Sequence, residues 1–179
     1  MEVSTLASIE LVLASDGTAE SIDDLTTLFD LVLLVVDANN ATTTSRALQV
    51  YANLDRVMGD ADVNLDLVVV GASGSDAVQV AGEFSARGRV FEDPDGSVAD
   101  RLGVHSAPTL LWITPASEER ARLEGWQPDQ WRPVIADLAA KLAWTRPLIP
   151  APTDPAPFRA VPFLPPPDEE AETNKDDGS

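Results

Sequence analysis

The order of apolar and polar positions lays out a series of strands and helices. Residues 8–14, Ser-Ile-Glu-Leu-Val-Leu-Ala, carry a short alternating apolar pattern that predicts a strand, and Asp16-Gly17 marks the turn after it. Residues 31–36, Leu-Val-Leu-Leu-Val-Val, form a continuous apolar run, the pattern of a strand buried on both faces of a sheet. Beyond it Leu48, Tyr51, Ala52, Leu54 and Val57 recur at helical spacing. Thr44 or a neighbour is placed to cap that helix, because a hydroxyl accepts the orphan amide hydrogen bonds of the first turn. Residues 64–73 repeat the buried-strand pattern, and 75–88 open with Ser and Asp and close on Gly, the marks of a helix start and stop. A short strand over 89–93, a turn with a short helix, a strand from Pro108 and an antiparallel neighbour near 119–126 follow. The last helix is predicted over 127–144. Pro133 fits a helix only in its first turn, which moves that start toward Asp129. This order predicts a three-layer α/β sandwich with a mixed central sheet.

At Arg146 the composition changes. Nine of the fourteen prolines fall after that point, and the chain closes in an acidic run. The expected organisation is one domain over 1–145 and a proline-rich, acidic, disordered tail over 146–179, partly in polyproline-II conformation. With 30 acidic residues against 12 Lys and Arg, the chain is a poor match for nucleic acid, whose affinity comes from cations neutralising phosphates, and for anionic membrane surfaces. The start of the chain lacks the basic segment of a signal peptide, and the apolar runs fall far short of the ~20 residues a spanning helix needs. The expectation is a cytoplasmic protein without membrane insertion. Arg heavily outnumbers Lys, which points to a GC-rich bacterial genome. There is no cysteine, hence no disulfide, thiolate nucleophile or thiolate metal site.

Three stretches carry a family resemblance: "LVLLVVDANNATTTSRALQVYANL", "VFEDPDGSVADRLGV" and "GVHSAPTLLWIT". In their order and spacing they resemble the thioredoxin-like superfamily, in its branch of peroxiredoxins and cytochrome-maturation thiol reductases, over roughly 8–143. The resemblance implies a thioredoxin-like sandwich, a cis bond before Pro108, and a groove where the residue before that proline offers backbone hydrogen bonds to an extended peptide. It also sets Thr42 and Ser45 where the family has its two reactive cysteines. A hydroxyl at a helix start stays protonated and forms no disulfide, whereas a thiol has a pKa of about 8.5. Thiol redox catalysis is therefore excluded, and no catalytic residue, cofactor or metal is assigned.

The candidate binding residues are Thr42, Ser45, Ala107, Pro108, Thr109, Phe163 and Leu164. Thr42–Ser45 read either as a plain helix cap or as part of an altered recognition groove working by strand addition. Phe163 and Leu164, set among prolines, read as linker or as docking peptide. The lone His105 lacks an acid orienter and an oxyanion hole for a relay with Ser45. The four tryptophans read as core residues, with Trp144 the one most exposed to a partner. "DPDG" at 93–96 reads as a turn, without the spacing of a calcium loop. The function expected is that of a redox-inactive, protein-binding module: a chaperone, assembly factor or accessory subunit of a larger complex. The alternative is a cysteine-independent small-molecule enzyme holding an anion at the Thr42–Ser45 helix start.

Overall fold

Eight successive buried residues, Asp30–Asp37, form the central strand β3 of a computed structural model that describes residues 6–167. Before it come β1 (Glu10–Leu13), β2 (Ala19–Ser21) and the single-turn helix α1 (Ile22–Leu25). After it come α2 (Ala41–Met58), β4 (Val63–Val70), α3 (Gly74–Ala81) with a 3-10 turn over Gly82–Ala86, β5 (Val90–Asp93) and α4 (Ser97–Arg101). The chain then forms β6 (Ser106–Ala107), β7 (Thr109–Ile113), β8 (Glu119–Glu124), α5 (Pro128–Lys141) and β9 (Val161–Pro162).

Seven strands make one sheet in the order β2-β1-β5-β4-β3-β7-β8. Strands β3, β4 and β5 run parallel, and β1, β2, β7 and β8 are joined antiparallel, so the sheet is mixed as predicted. Alternation along β3 splits the core between the two faces. Val32, Leu34 and Val36 join one cluster with α2, α3 and α5. Leu31, Leu33 and Val35 join a second cluster with α1 and α4. The outer strands are short or charged: β2 has three residues, and β8 carries Glu119, Arg120, Arg122 and Glu124.

Buried polar groups are tied across these layers, as their desolvation demands. The Tyr51 hydroxyl of α2 lies 2.9 Å from the carbonyl oxygen of Val32 and 2.8 Å from that of Asp66, so one proton is shared between β3 and β4. Arg89 donates to both oxygens of Asp66, through its backbone amide and its guanidinium. Burial nevertheless pushes the Asp66 carboxyl above its ordinary value, because desolvation outweighs the Arg89 pair. Asp30 accepts from the Trp112 indole at 2.9 Å and from Lys141 at 2.6 Å.

Two expectations shift at α5. The helix begins at Pro128, so Pro133 sits in the second turn, and it ends at Lys141. Trp112, Trp126 and Trp131 are buried, while Trp144 is half-exposed and donates its indole hydrogen to the Val57 carbonyl at 2.7 Å.

The proline-rich stretch departs from expectation. Disorder from Arg146 onward does not describe 146–167, which lie along the domain; the acidic run over 168–179 lies outside the described residues. Proline cannot donate to a ladder, yet its carbonyl and those around it still accept, and the domain supplies side-chain donors. Trp126 donates to the Pro155 carbonyl at 2.9 Å and Arg132 to that of Ile149 at 2.9 Å. Asn53 donates to the Asp154 carboxylate at 2.7 Å, and Gln49 to the Thr153 carbonyl. Ile149 is buried in the α2–α5 cluster, and Phe158 packs on its margin.

A candidate peptide groove closed by the chain's own strand

The end of β3 builds one wall. Asp37 is buried, with 1% of its surface exposed. Its Oδ1 accepts the Asn39 amide at 2.8 Å, the short-range turn that Asp favours. Its carbonyl accepts the Thr44 hydroxyl at 2.7 Å. The cap of α2 falls to Asn40, not Thr44: the Asn40 side chain accepts the Thr43 amide at 3.3 Å. Asn40 stands one residue before the first helical residue, where its oxygen reaches the third amide. Thr44 lies a full turn in and reaches back to β3 instead.

The second wall is the segment before β7. The Ala107–Pro108 bond is cis, as the family resemblance implies. Thr109 donates its hydroxyl to the Ser106 carbonyl at 2.8 Å and is buried between β3 and β8. The Pro108 carbonyl accepts the Gly125 amide at 2.8 Å.

Between these walls lies the chain's own C-terminal segment. β9 pairs antiparallel with β6, Pro162 opposite Ser106 and Val161 opposite Ala107. On one side of this ladder Phe158 and Trp126 exchange two backbone hydrogen bonds, of 2.8 and 3.0 Å. On the other side the Leu164 amide donates to Asp37 Oδ2 at 2.8 Å. Gly125 makes room for this crossing. Its φ is +73°, and a Cβ there would stand 2.7 Å from the Ala160 nitrogen and 2.8 Å from the Phe158 oxygen.

The structure thus brings Ala107, Pro108 and Thr109 together with Phe163 and Leu164. Thr42 and Ser45 stand near the start of α2. Both are exposed within the first two turns of α2, and Ser45 lines a cleft of about 590 Å³ that faces the 3-10 turn and Arg87. At this helix start Asn40 takes up the Thr43 amide and the Asp37 carboxylate is adjacent, while in the cleft Arg87 pairs with Asp55 at 3.2 Å and Arg56 donates to the Asn53 side-chain oxygen at 3.2 Å. His105 is exposed, and no hydrogen bond among the described residues joins it to Ser45. At 93–96 the Asp93 carboxylate accepts the amides of Val98 and Ala99 at 3.1 and 2.9 Å, so it caps α4. Among the described residues no group of three His, Cys, Asp or Glu side chains is arranged to hold a metal. None of the described helices is long and apolar enough to cross a membrane.

Sequence reasoning missed Asp37, Asn39 and Gly125. The Gly125-Trp126 step between a strand and a helix was the available signal, since a glycine at that junction marks a turn or a close backbone approach.

No protein-family model matches the sequence, and no curated protein matches it. Solved structures do match in fold. A putative protein disulfide isomerase from Bacteroides thetaiotaomicron superposes with a TM-score of 0.62 at 10% identity, over 77% of this chain and 90% of that one. A putative thiol:disulfide interchange protein DsbE from Chlorobium tepidum gives 0.58 at 17%, over 74% and 93%. A secreted Mycobacterium tuberculosis disulfide oxidoreductase homologous to E. coli DsbE gives 0.51 at 12%, over 68% and 86%. The fold is thioredoxin-like, in the company of thiol-disulfide oxidoreductases, and this chain has no cysteine in its 179 residues.

Proposed function

We propose that this is a redox-inactive thioredoxin-fold protein that holds extended segments of other proteins, as a chaperone, an assembly factor or an accessory subunit of a larger complex. The observation that carries the reading is the ladder at Ser106–Ala107. This edge pairs with an extended segment in antiparallel register, residue for residue, beside a cis proline. That is strand addition, in which main-chain hydrogen bonds give affinity and flanking pockets give specificity. Without a thiolate, such contact has no covalent step to follow it, so binding is the whole of the activity.

The net charge of −18 supports protein partners over nucleic acid. The proposed compartment is the cytoplasm, which cell fractionation tests.

The reading is tested by placing a photo-crosslinking residue at Ser106 in the full chain, expressed in its host. The expected product is a covalent adduct with another protein, mapped to an extended segment of it. Adducts confined to the chain's own 158–164, or adducts formed equally well from an exposed control position on β8, would overturn it.

A further inference from the structure

We infer that residues 158–164 are a built-in competitor for the groove, and that a partner segment displacing them must copy their chemistry. The inference rests on the peptide-holding reading above and adds its regulation and its ligand class.

The segment engages the groove at three points. Phe158 makes the backbone pair with Trp126 and sets its ring on the margin of the α2–α5 cluster, 6.0 Å beneath the Arg46 guanidinium. Val161 and Pro162 form the ladder with β6. Phe163 packs on the opposite cluster, that of α1 and α4. The two aromatic rings, five residues apart, thus grip the two faces of the sheet end on either side of the cis proline.

Asp37 adds a selective contact. A buried carboxylate oxygen needs a donor, and the donor for its Oδ2 is the Leu164 amide. An occupant that offers proline at this position leaves that oxygen unsatisfied. Gly125 accepts only a passing backbone, with no space for a side chain of its own. Residues 158–164 carry one cation, the exposed Arg159, and no acid, which suits a strongly acidic domain. The ligand class is therefore an extended, neutral-to-basic segment with large apolar or aromatic side chains at its first and sixth positions, a β-forming centre, and a free amide at its seventh.

The segment is also built to leave. The ladder is two residues long, and Phe158 and Phe163 are only half-buried. Arg132, Asn53 and Gln49 hold residues 149–154 independently. When 158–164 lift away they stay tethered close by, and a short tether gives an effective concentration on the order of millimolar. A partner must outcompete that concentration.

The test uses a fluorescein-labelled peptide of residues 158–164 and three full-length proteins: the natural chain, Phe158→Ser/Phe163→Ser, and Phe163→Ser/Leu164→Pro. Fluorescence anisotropy gives the Kd, and hydrogen exchange reports whether 158–164 is released. Release should tighten peptide binding at least tenfold over the natural chain, and a Leu164→Pro peptide should lose most of it. Equal Kd for natural and released chains overturns the competition while the peptide-holding reading stands. No binding by released chains overturns the peptide-holding reading itself. Continued protection of 158–164 in both variants shows that the anchors assigned here are wrong.

Discussion

Substituting Gly125 with alanine tests whether the crossing segment depends on bare backbone. Gly125 has φ +73°, and the new Cβ would meet the Ala160 nitrogen at 2.7 Å, the Phe158 oxygen at 2.8 Å and the Arg159 carbonyl carbon at 3.0 Å. All three are backbone atoms, so no flexible side chain can yield. Gly17 supplies an internal control: its φ is +76°, and a Cβ there meets nothing within 4 Å. The left-handed conformation costs an alanine about 1–2 kcal/mol at either position. Only at Gly125 must the segment also move, breaking the two Trp126–Phe158 backbone bonds, at about 1 kcal/mol each. For a chain of this size each kcal/mol lowers Tm by about 2–4 °C. Gly125→Ala should therefore melt about 4–8 °C below Gly17→Ala by circular dichroism. It should also exchange the 158–164 amides at least tenfold faster. Equal melting temperatures and unchanged exchange would refute the reasoning, because the tail would then contribute nothing at this crossing.

The remaining predictions address the core and the helix start. Tyr51→Phe removes the hydroxyl shared between the Val32 and Asp66 carbonyls and should cost about 1–3 kcal/mol in urea unfolding, a buried acceptor having lost its donor. Burial raises the folded pKa of Asp66 above the ordinary 3.8 and raises Asp93 likewise. The folded state then holds protons that the unfolded state has released, so the stability these groups contribute is fully present below 3.8 and lost as pH rises through their folded values. Tm should accordingly gain from these groups as pH is lowered into the range just above 3.8, and Asp66→Asn should flatten that part of the profile. Thr42→Cys/Ser45→Cys places a thiol pair on the exposed start of α2. Oxidation should consume both thiols in a monomer, measured by thiol titration, and thiols left free would show that the helix start lacks the geometry of its redox counterparts.

The interior of the sheet was legible from the sequence because burial on both faces leaves an unbroken apolar run, as in Val32–Val36 and Leu67–Val70. β2 was not, because Ala19-Glu20-Ser21 carries no apolar signal and exists as a strand only by its register on Leu11 and Val12. The family pattern pointed to Ala107-Pro108 and to Thr42–Ser45 as parts of one surface. The first pair lies against β9, and Ser45 lines the cleft that Arg87 also lines. The course of residues 146–164 was invisible for a physical reason. Its acceptors are matched by donors a long way off in sequence: Gln49 and Asn53 on α2, Arg132 on α5, and Trp126. Proline content describes what a chain cannot do alone, and says nothing of what a neighbouring surface does for it. Phe163 and Leu164, read as linker or docking peptide, meet a surface of their own chain.

The seven-stranded sheet ends on one side in β2, too short to template a neighbour, and on the other in β8, studded with alternating charge. Open strand borders invite polymerisation, and proteins suppress it by these two devices. On the proposed function, a molecule that accepts strands would otherwise zip onto its own siblings at the concentrations found in a crowded cell. On that proposal the two borders of the sheet are guarded, and strand pairing is left to the notch at Ser106–Ala107.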